Sequence, residues 1–388
     1  MMKYIFLITI FFSSCADSGV EFSVSNKSDF DRVDELLEIP LSKAEKLLVI
    51  KEGEVLNITD ASENILTSQI TFDKKIIFQP QLKAGETKTF KFVSAPAQDF
   101  EARVYANYHP ERYGDMAWEN DKVGFRFYGE PLEKIQAPTN GLDLWYKHTS
   151  KIVLDEWYKK DISKEASYHK DHGEGCDPYP VGRTLGGGSM SPVIDDVLLM
   201  NSNFTSHEVL ENGPLRSTFK LVYPPIKIKD KELVETKLIS LDAGSQLTKI
   251  SQEYSTDDQR DHFNVAAGFA KRADGDRLIY EKGKNYMVYQ EPANEENGQI
   301  YLGLVILQGI EKVDVNSYTY VNPFNKKTEN HSNTLAYITY MPGAPAVYYT
   351  GFGWNKFGFD NIEKFETYVS DFSKSLKQPL LVTYTNNK

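Results

Sequence analysis

Residues 168–188, YHKDHGEGCDPYPVGRTLGGG, concentrate side chains that can do chemistry. This central stretch contains His172, Tyr179 and Arg183, which supply an imidazole, a phenol and a guanidinium. A neutral imidazole has a reference pKa of about 6.5, so His172 can accept a proton near neutral pH. The glycines and prolines let the backbone approach a ligand closely. We therefore predict a functional loop; a Gly-rich surface loop with scattered charge is the alternative.

A second polar group lies in a predicted loop, residues 109–122, between two strand-like runs. His109 in this loop is a second candidate base. A flat aromatic ring covers the apolar C–H face of a sugar, while carboxylates and amides bind its hydroxyls. Trp118, Glu119 and Asn120 are therefore predicted to bind a sugar substrate. The alternative is an edge loop capped by the tryptophan.

These residue types meet the requirements of β-elimination from a uronic acid. The enzyme must neutralise the substrate carboxylate, place a base and protonate the leaving oxygen. Arg126 and Arg183 can hold a carboxylate through paired hydrogen bonds. His172 or His109 can act as the base, and Tyr179 can handle the proton on the leaving hydroxyl.

Two other functions stay open at this point. Glycoside hydrolysis needs two carboxylates about 5 to 9.5 Å apart. Glu119 with Glu174 or Asp177 can supply such a pair, and the last two are also assigned to substrate binding. A non-catalytic glycan-binding lipoprotein would keep Trp118 and the loops without a titrating pair.

A divalent metal is compatible with the central stretch, although elimination does not require a cofactor. His169, Asp171 and His172 offer ligands that suit zinc, manganese or iron. On a strand, His172 would face away from the other two, so the chain must turn there to bring the three together.

The N-terminus, MMKYIFLITIFFSSC, resembles a lipoprotein signal. Its apolar run, residues 4–12, is too short to span a bilayer, and small residues directly precede Cys15. We expect residues 1–15 to be a signal peptide and Cys15 to carry lipid. The protein would then be exported to the periplasm or cell surface, with membrane contact only through the lipid anchor.

Composition excludes one class of partner and one source of stability. The net charge is -11 and the pI is about 5.3, which argues against a nucleic-acid partner. Cys176 is the only cysteine beyond the leader, so no disulfide framework is expected.

Strand-like runs separated by turns predict an all-β, antiparallel β-sandwich with one C-terminal helix. We assign residues 16–97 to a small β-sandwich and residues 98–388 to a larger catalytic one. Asp360 and Glu363 form a predicted capping box for the helix, and Pro379 ends it. The helix should pack on a sheet through an apolar face made of Ile362, Phe365, Val369, Phe372 and Leu376.

Two motifs, WENDKVGFRFYG and HGEGCDPYPVGRTLGGG, with a late GFGW segment, resemble a family of exported proteins from bacterial polysaccharide-utilisation systems. The resemblance covers roughly residues 100–388. It implies a galactose-mutarotase-like β-sandwich in the larger part. It also implies a carbon–oxygen lyase, because the family includes a dehydratase of the oligosaccharides that ulvan lyase releases. The implied partner is a uronic-acid-containing oligosaccharide.

Overall fold

The computed structural model describes residues 19–228, 231–256, 262–272 and 274–385. Cys15 and the predicted signal peptide lie outside these residues. Antiparallel strands dominate the described chain, which confirms the predicted all-β fold. In this part of the chain, no helix is long and apolar enough to cross a membrane.

The N-terminal part of the chain forms two small sheets with a shared core. Its elements are β1 (Val20–Ser25), β2 (Leu37–Pro40), α1 (Leu41–Glu45), β3 (Val55–Thr59), β4 (Ser68–Ile70), β5 (Lys75–Phe78) and β6 (Thr87–Ala95). Strands β1, β3 and β6 belong to one sheet, and β2, β5 and β4 form the other. Phe22 and Phe92 from the first sheet are buried together with Ile76 and Phe78 from the second, so the two sheets form a small β-sandwich.

A five-stranded sheet follows, in the order β11-β10-β9-β8-β7. Its elements are β7 (Val104–His109), β8 (Asp115–Asn120), β9 (Gly124–Phe127), β10 (Asp143–Lys147), α2 (Leu154–Ile162) and β11 (Gly175–Cys176). Short 3₁₀ turns at Pro110–Arg112 and Glu130–Lys134 connect neighbouring strands. The predicted loop at residues 109–122 is therefore wrong for residues 115–120, which form strand β8, between β7 and β9.

The rest of the chain builds two more sheets and the C-terminal helix. Its elements are β12 (Gly187–Ile194), β13 (Val197–Leu198), β14 (Ser206–Asn212), β15 (Arg216–Val222), β16 (Ile226–Ile228), β17 (Lys231–Asp242), β18 (Leu247–Ser255), β19 (Phe263–Ala270), β20 (Arg277–Ile279), β21 (Tyr286–Gln290), β22 (Ile300–Ile306), β23 (Lys312–Val321), β24 (Thr328–Tyr340), β25 (Ala346–Trp354), α3 (Ile362–Lys377) and β26 (Leu381–Tyr384). One sheet has the order β13-β12-β19-β24-β23. The other is nine-stranded, with the order β14-β15-β17-β18-β25-β22-β21-β20 and β16 paired to β17.

The nine-stranded sheet carries the main hydrophobic core on one face. Phe125 of β9, Leu302 of β22 and Ile338 of β24 belong to this core. Both five-stranded sheets therefore pack against the same face of the large sheet. Because side chains alternate along a strand, this packing buries every second residue of each strand.

The last strand returns to the N-terminal sandwich. Strand β26 pairs with β1, and Val382 lies opposite Val24. The first sheet thus has the order β26-β1-β6-β3. Residues from the two ends of the chain therefore build the same sheet.

Helix α3 covers the outer face of the nine-stranded sheet. Phe365 and Val369 are fully buried against Val288 and Val305 of that sheet. The predicted apolar face is confirmed, since Ile362, Phe372 and Leu376 belong to the same cluster. The helix ends at Lys377, before Pro379.

The cap of α3 differs from the predicted one. The Asn361 side chain accepts a hydrogen bond of 2.9 Å from the backbone N–H of Lys364. Asp360 instead pairs with the Lys364 side chain, and Glu363 accepts from Arg277 at 2.7 Å. The predicted Asp360–Glu363 capping box is wrong because the helix begins one residue later.

Replacing the cap should destabilise the protein more than replacing its neighbour. We expect Asn361→Ala to lower the free energy of unfolding by about 1 kcal/mol, since it removes an N-cap hydrogen bond. Asp360→Ala is the matched control and should cost less, because exposed ion pairs contribute little. Urea unfolding at pH 7 measures both; an equal or larger loss for Asp360→Ala would contradict this assignment.

Candidate active site

The five-stranded sheet that contains β8 is covered on both faces. Trp118 and Phe125 point into the main core, while Asp115, Glu119 and Arg126 point to the opposite face. Helix α2 and the central stretch cover that second face. Polar residues on it are therefore buried, although the alternating pattern alone would place them in solvent.

Trp118 is fully buried in the hydrophobic core. Its ring lies 5.5 Å from the ring of Phe125 and 5.0 Å from that of Phe219, between centroids. The indole N–H donates to the Thr248 hydroxyl at 3.1 Å. No face of this ring is open to a sugar.

Glu119 is fully buried and fixes the start of α2. One carboxylate oxygen accepts backbone N–H groups of Val153 and Leu154 at 2.8 and 2.7 Å, and the other binds the Lys147 ammonium. Burial raises the pKa of Glu119, while Lys147 opposes that rise. A carboxylate at the helix N-terminus satisfies orphan donors and complements the helix dipole.

Asn120 has a similar structural use. Its amide nitrogen donates to the carbonyls of Asp242 and Ser245, both at 2.7 Å. Its side chain is fully buried. In this structure the predicted sugar-binding trio thus makes its polar contacts inside the protein, and Glu119 is not placed to form a solvent-facing carboxylate pair.

A guanidinium surrounded by carboxylates lies beneath the central stretch. Arg126 donates to Asp143 at 2.8 Å and to Asp177 at 2.7 Å, and Asp115 lies 3.4 Å away. All four residues of this Arg126 cluster are buried. Arg126 also donates to the Tyr128 hydroxyl at 3.1 Å, so its donors are used within the protein and not by a free carboxylate clamp.

The Arg126 cluster contains more negative than positive groups. Burial, reinforced by Asp143, raises the pKa of Asp177 to about 8, although Arg126 opposes the rise. Burial also raises the pKa of Asp115. Two ionised carboxylates close together in a buried site repel each other, so one of them retains its proton to higher pH.

Aromatic residues cover the Arg126 cluster. The Tyr158 hydroxyl lies 3.2 Å from the nearer Asp115 oxygen. The Tyr168 ring stacks at 4.8 Å on that of Trp145, and its hydroxyl accepts from Arg112. These contacts fasten the beginning of the central stretch onto the sheet.

His109 lies apart from the Arg126 cluster in a separate open pocket of about 460 Å³. Its Nδ1 is 2.9 Å from Glu111 and its Nε2 is 3.3 Å from Asp155. Burial lowers the pKa of His109, but the two carboxylates outweigh burial and raise it. A raised pKa favours the imidazolium form, which cannot accept a proton.

Three other candidates lie on the surface or bind backbone carbonyls. His172 is exposed, and its Nε2 lies 3.1 Å from the carbonyl of Ser167. Glu174 pairs with Lys151 at 3.0 Å. Arg183 donates to three backbone carbonyls, which belong to Pro138, Met200 and Asn201.

The histidines of the central stretch diverge. His169 Nδ1 lies 2.8 Å from the Asp177 carbonyl, whereas Asp171 contacts His148 at 3.1 Å. Among the residues that the structure describes, no group of three or more His, Cys, Asp or Glu side chains is arranged to hold a metal ion.

Tyr179 lies on the other side of the central stretch, beside an open pocket. The Arg272 guanidinium is 4.9 Å from the centroid of its ring. Arg272 Nε donates to Glu291 at 2.9 Å and Nη2 donates to the Pro180 carbonyl at 2.9 Å. The pocket has a volume of about 460 Å³, within the usual range for ligand sites. Its lining includes Tyr146, Pro178, Pro180, Arg272, Glu291, Asn294 and Asn297.

Burial raises the pKa values of both acidic groups of this Tyr179 pocket. Burial raises the pKa of Glu291, while Arg272 and Tyr179 oppose the rise. Burial and the nearby Glu291 charge hold the pKa of Tyr179 well above its usual value. The Tyr179 hydroxyl is buried beside the Glu291 carboxyl group, and each of the two groups shifts the pKa of the other. Groups whose pKa is shifted by burial and by a specific partner are often functional.

The sequence predicts a role for Tyr179 but none for Arg272 or Glu291. Arg272 lies two residues after the end of β19, and Glu291 directly follows β21. The signal available in the sequence was a charged residue at the end of an apolar, strand-like run. Nothing in their spacing to Tyr179 indicates that the three meet, since the contact depends on sheet order.

Comparisons with known proteins identify a family and a fold. The family model described as "Domain of unknown function (DUF4861)" matches residues 24–382. Uncharacterized protein P7 of Formosa agariphila is 28% identical over 404 residues, covering 99% of this chain and 98% of that protein.

Two solved structures from Enterococcus faecalis resemble the fold. An α-mannosidase has a TM-score of 0.54 at 9% identity over 95% of this chain and 46% of its own. A protein of glycosyl hydrolase family 38 has a TM-score of 0.52 at 9% identity, over 95% of this chain and 48% of its own. This chain spans about half the length of these proteins, and at such identity the likeness concerns the fold alone.

Replacing Asp177 should flatten the pH dependence of stability. Its folded pKa lies above the unfolded one, so the folded state keeps a proton that the unfolded state has lost. The free energy of unfolding should therefore fall as pH rises from about 5 to 8, and less steeply in Asp177→Asn. Urea unfolding across this pH range measures the slopes.

Asp171→Asn is the matched control on the same stretch. Burial opposes ionisation of Asp171, but bonds from Gly173, Gly175 and His148 lower its pKa overall. This variant should be less stable than wild type at neutral pH and as stable as wild type in acid. Equal slopes in wild type and Asp177→Asn would contradict the assignment of the proton to Asp177.

Proposed function

This chain belongs to the DUF4861 family, and we propose that it is a carbohydrate-active enzyme, a carbon–oxygen lyase that dehydrates uronic-acid-containing oligosaccharides. The observation that carries the proposal is the Tyr179 pocket. It places the Arg272 guanidinium and the Glu291 carboxyl group, whose pKa is raised, at an open cavity, and the buried Tyr179 phenol contacts both from behind. The mannosidase-like fold and the motif resemblance to a family that includes a dehydratase of ulvan oligosaccharides support the same substrate class.

Arg272 is the proposed carboxylate-binding residue. Its Nε and Nη2 contact Glu291 and Pro180, and among the described residues its Nη1 has no hydrogen-bond partner. A substrate carboxylate can bind at this free donor. Binding neutralises the carboxylate and makes the neighbouring C–H more acidic. The side-chain amides of Asn294 and Asn297 line the same pocket and can bind sugar hydroxyls.

Glu291 and Tyr179 then divide the two proton transfers. Ionised Glu291 removes the proton from the carbon next to the carboxylate, and the electron pair of the broken C–H bond forms the new C=C bond. The neighbouring C–O bond breaks, and Tyr179 protonates the departing hydroxyl, which leaves as water. Tyr179 recovers a proton from Glu291, whose carboxyl lies close enough to alter the pKa of Tyr179, so both groups return to their starting state.

The lipid anchor is a proposal separate from that of the active site. We propose that Cys15 carries the lipid and that the protein works in the periplasm or at the cell surface. Expression in a bacterial host with labelled palmitate tests this point. Label in the wild type and none in Cys15→Ser would support it, and no label in either would overturn it.

Mass spectrometry of the products tests the activity. The purified protein is incubated with lyase-generated uronic-acid oligosaccharides, with and without EDTA. We expect an oligosaccharide lighter by one water in both samples. Shorter sugars would indicate hydrolysis or chain cleavage, and no change across a broad panel of oligosaccharides would favour a binding protein.

Glu291→Gln should reduce turnover by at least about 100-fold, the usual scale of a lost general base. The wild-type rate should rise with pH through the raised pKa of Glu291, because only the ionised carboxylate accepts a proton. Glu296→Gln is the control: it makes the same change on the exposed part of the β21–β22 connection. Equal rates in both variants would exclude Glu291 as the base.

Tyr179→Phe should lower kcat by a similar factor while leaving KM nearly unchanged. The variant keeps the ring under Arg272 and removes only the proton donor. Steady-state kinetics with thermal unfolding as a folding check measures this. A raised KM at constant kcat would assign the hydroxyl to binding instead.

A further inference from the structure

The Arg126 cluster and the Tyr179 pocket are joined by one short segment, residues 177–180. Asp177 binds Arg126 at one end of the segment, at 2.7 Å. At the other end, the Pro180 carbonyl accepts from Arg272 at 2.9 Å. Tyr179 lies between the two anchors, so the position of its hydroxyl depends on both.

The segment is suited to transmit a displacement. Prolines flank Tyr179 on both sides, at Pro178 and Pro180, and each fixes its own φ. The residue before a proline is restricted as well. The Asp177 backbone N–H also donates to the Tyr168 carbonyl at 2.8 Å. A shift of Asp177 cannot be absorbed by free rotation between it and Tyr179.

The stability of the Arg126 cluster depends on how many of its carboxyl groups are protonated. Three carboxylates face one guanidinium in a buried layer, so full ionisation leaves two excess negative charges. An uncompensated buried charge is strongly destabilising. The other charged or titratable groups that face the cluster come from every element packed on it: Arg112, Tyr128, Tyr158, Tyr168 and His169.

We propose that Asp177 and Arg126 are positioning residues, which hold residues 177–180 in the active arrangement only while Asp177 keeps its proton. Loss of that proton loosens the segment, so that Tyr179 no longer faces Glu291 and the Pro180 carbonyl no longer orients Arg272. This inference rests on the proposed function of the Tyr179 pocket. It adds Asp177 as a group that limits activity on the alkaline side, whereas Glu291 limits activity on the acid side.

The pH profile of kcat tests the proposal. Wild type should lose activity as pH rises above about 8, the pKa of Asp177. Asp177→Asn mimics the protonated carboxyl, so its rate at pH 7 should stay within about twofold of wild type and its alkaline loss should disappear. Asp143→Asn removes a negative neighbour that raises the pKa of Asp177, so it should move the alkaline loss to lower pH. An unchanged alkaline limb in both variants would overturn the proposal.

Hydrogen exchange separates this proposal from the proposed function, since it needs no substrate. Amides in peptides covering residues 175–181 are followed at pH 7 and pH 9, after correction for the intrinsic exchange rate. Wild type should lose protection at pH 9, and Asp177→Asn should keep it. Equal protection in both proteins at both pH values would overturn the positioning role. The expected exchange pattern without any turnover would instead reject the lyase activity alone.

Discussion

The structure around the candidate site depends on one buried guanidinium. Arg126 stands on β9 and binds carboxylates from β8, from β10 and from the central stretch. These contacts hold the central stretch of 21 residues, numbered 168–188, against the face of the sheet that α2 also covers. Removing one partner of a buried ion pair typically costs 3–5 kcal/mol, since it leaves an uncompensated charge.

A second buried ion pair supports the same layer. Glu119 and Lys147 fix the first turn of α2, and α2 supplies Trp157 and Tyr158 to the cover of the sheet. The polar residues of this layer therefore build a platform. The Tyr179 pocket lies beyond the platform, where the central stretch meets the ends of β19 and β21. A rigid layer behind a loop of this kind can fix catalytic groups that the loop alone would not.

The fold itself leaves the chemistry open. Large antiparallel sandwiches carry many activities, and function resides in the particular side chains at their loops. In this chain the Tyr179 pocket is built from residues after two strands of different sheets together with the central stretch. It is this combination of Arg272, Glu291 and Tyr179, and not the sandwich, that leads to the proposal of elimination chemistry.

The strand pattern, the all-β class, the apolar face of α3 and the concentration of reactive residues in the central stretch can all be predicted from the sequence. Each of these depends on local periodicity or composition. The roles of individual residues depend on contacts that form only in the folded protein. A period of two distinguishes the two faces of a strand but not what covers them, and here both faces of β8 are covered. For that reason Trp118 and Glu119 are buried where the pattern suggested an open loop. Likewise Tyr179 meets Glu291, 112 residues further along the chain, only because the sheets bring their strand ends together.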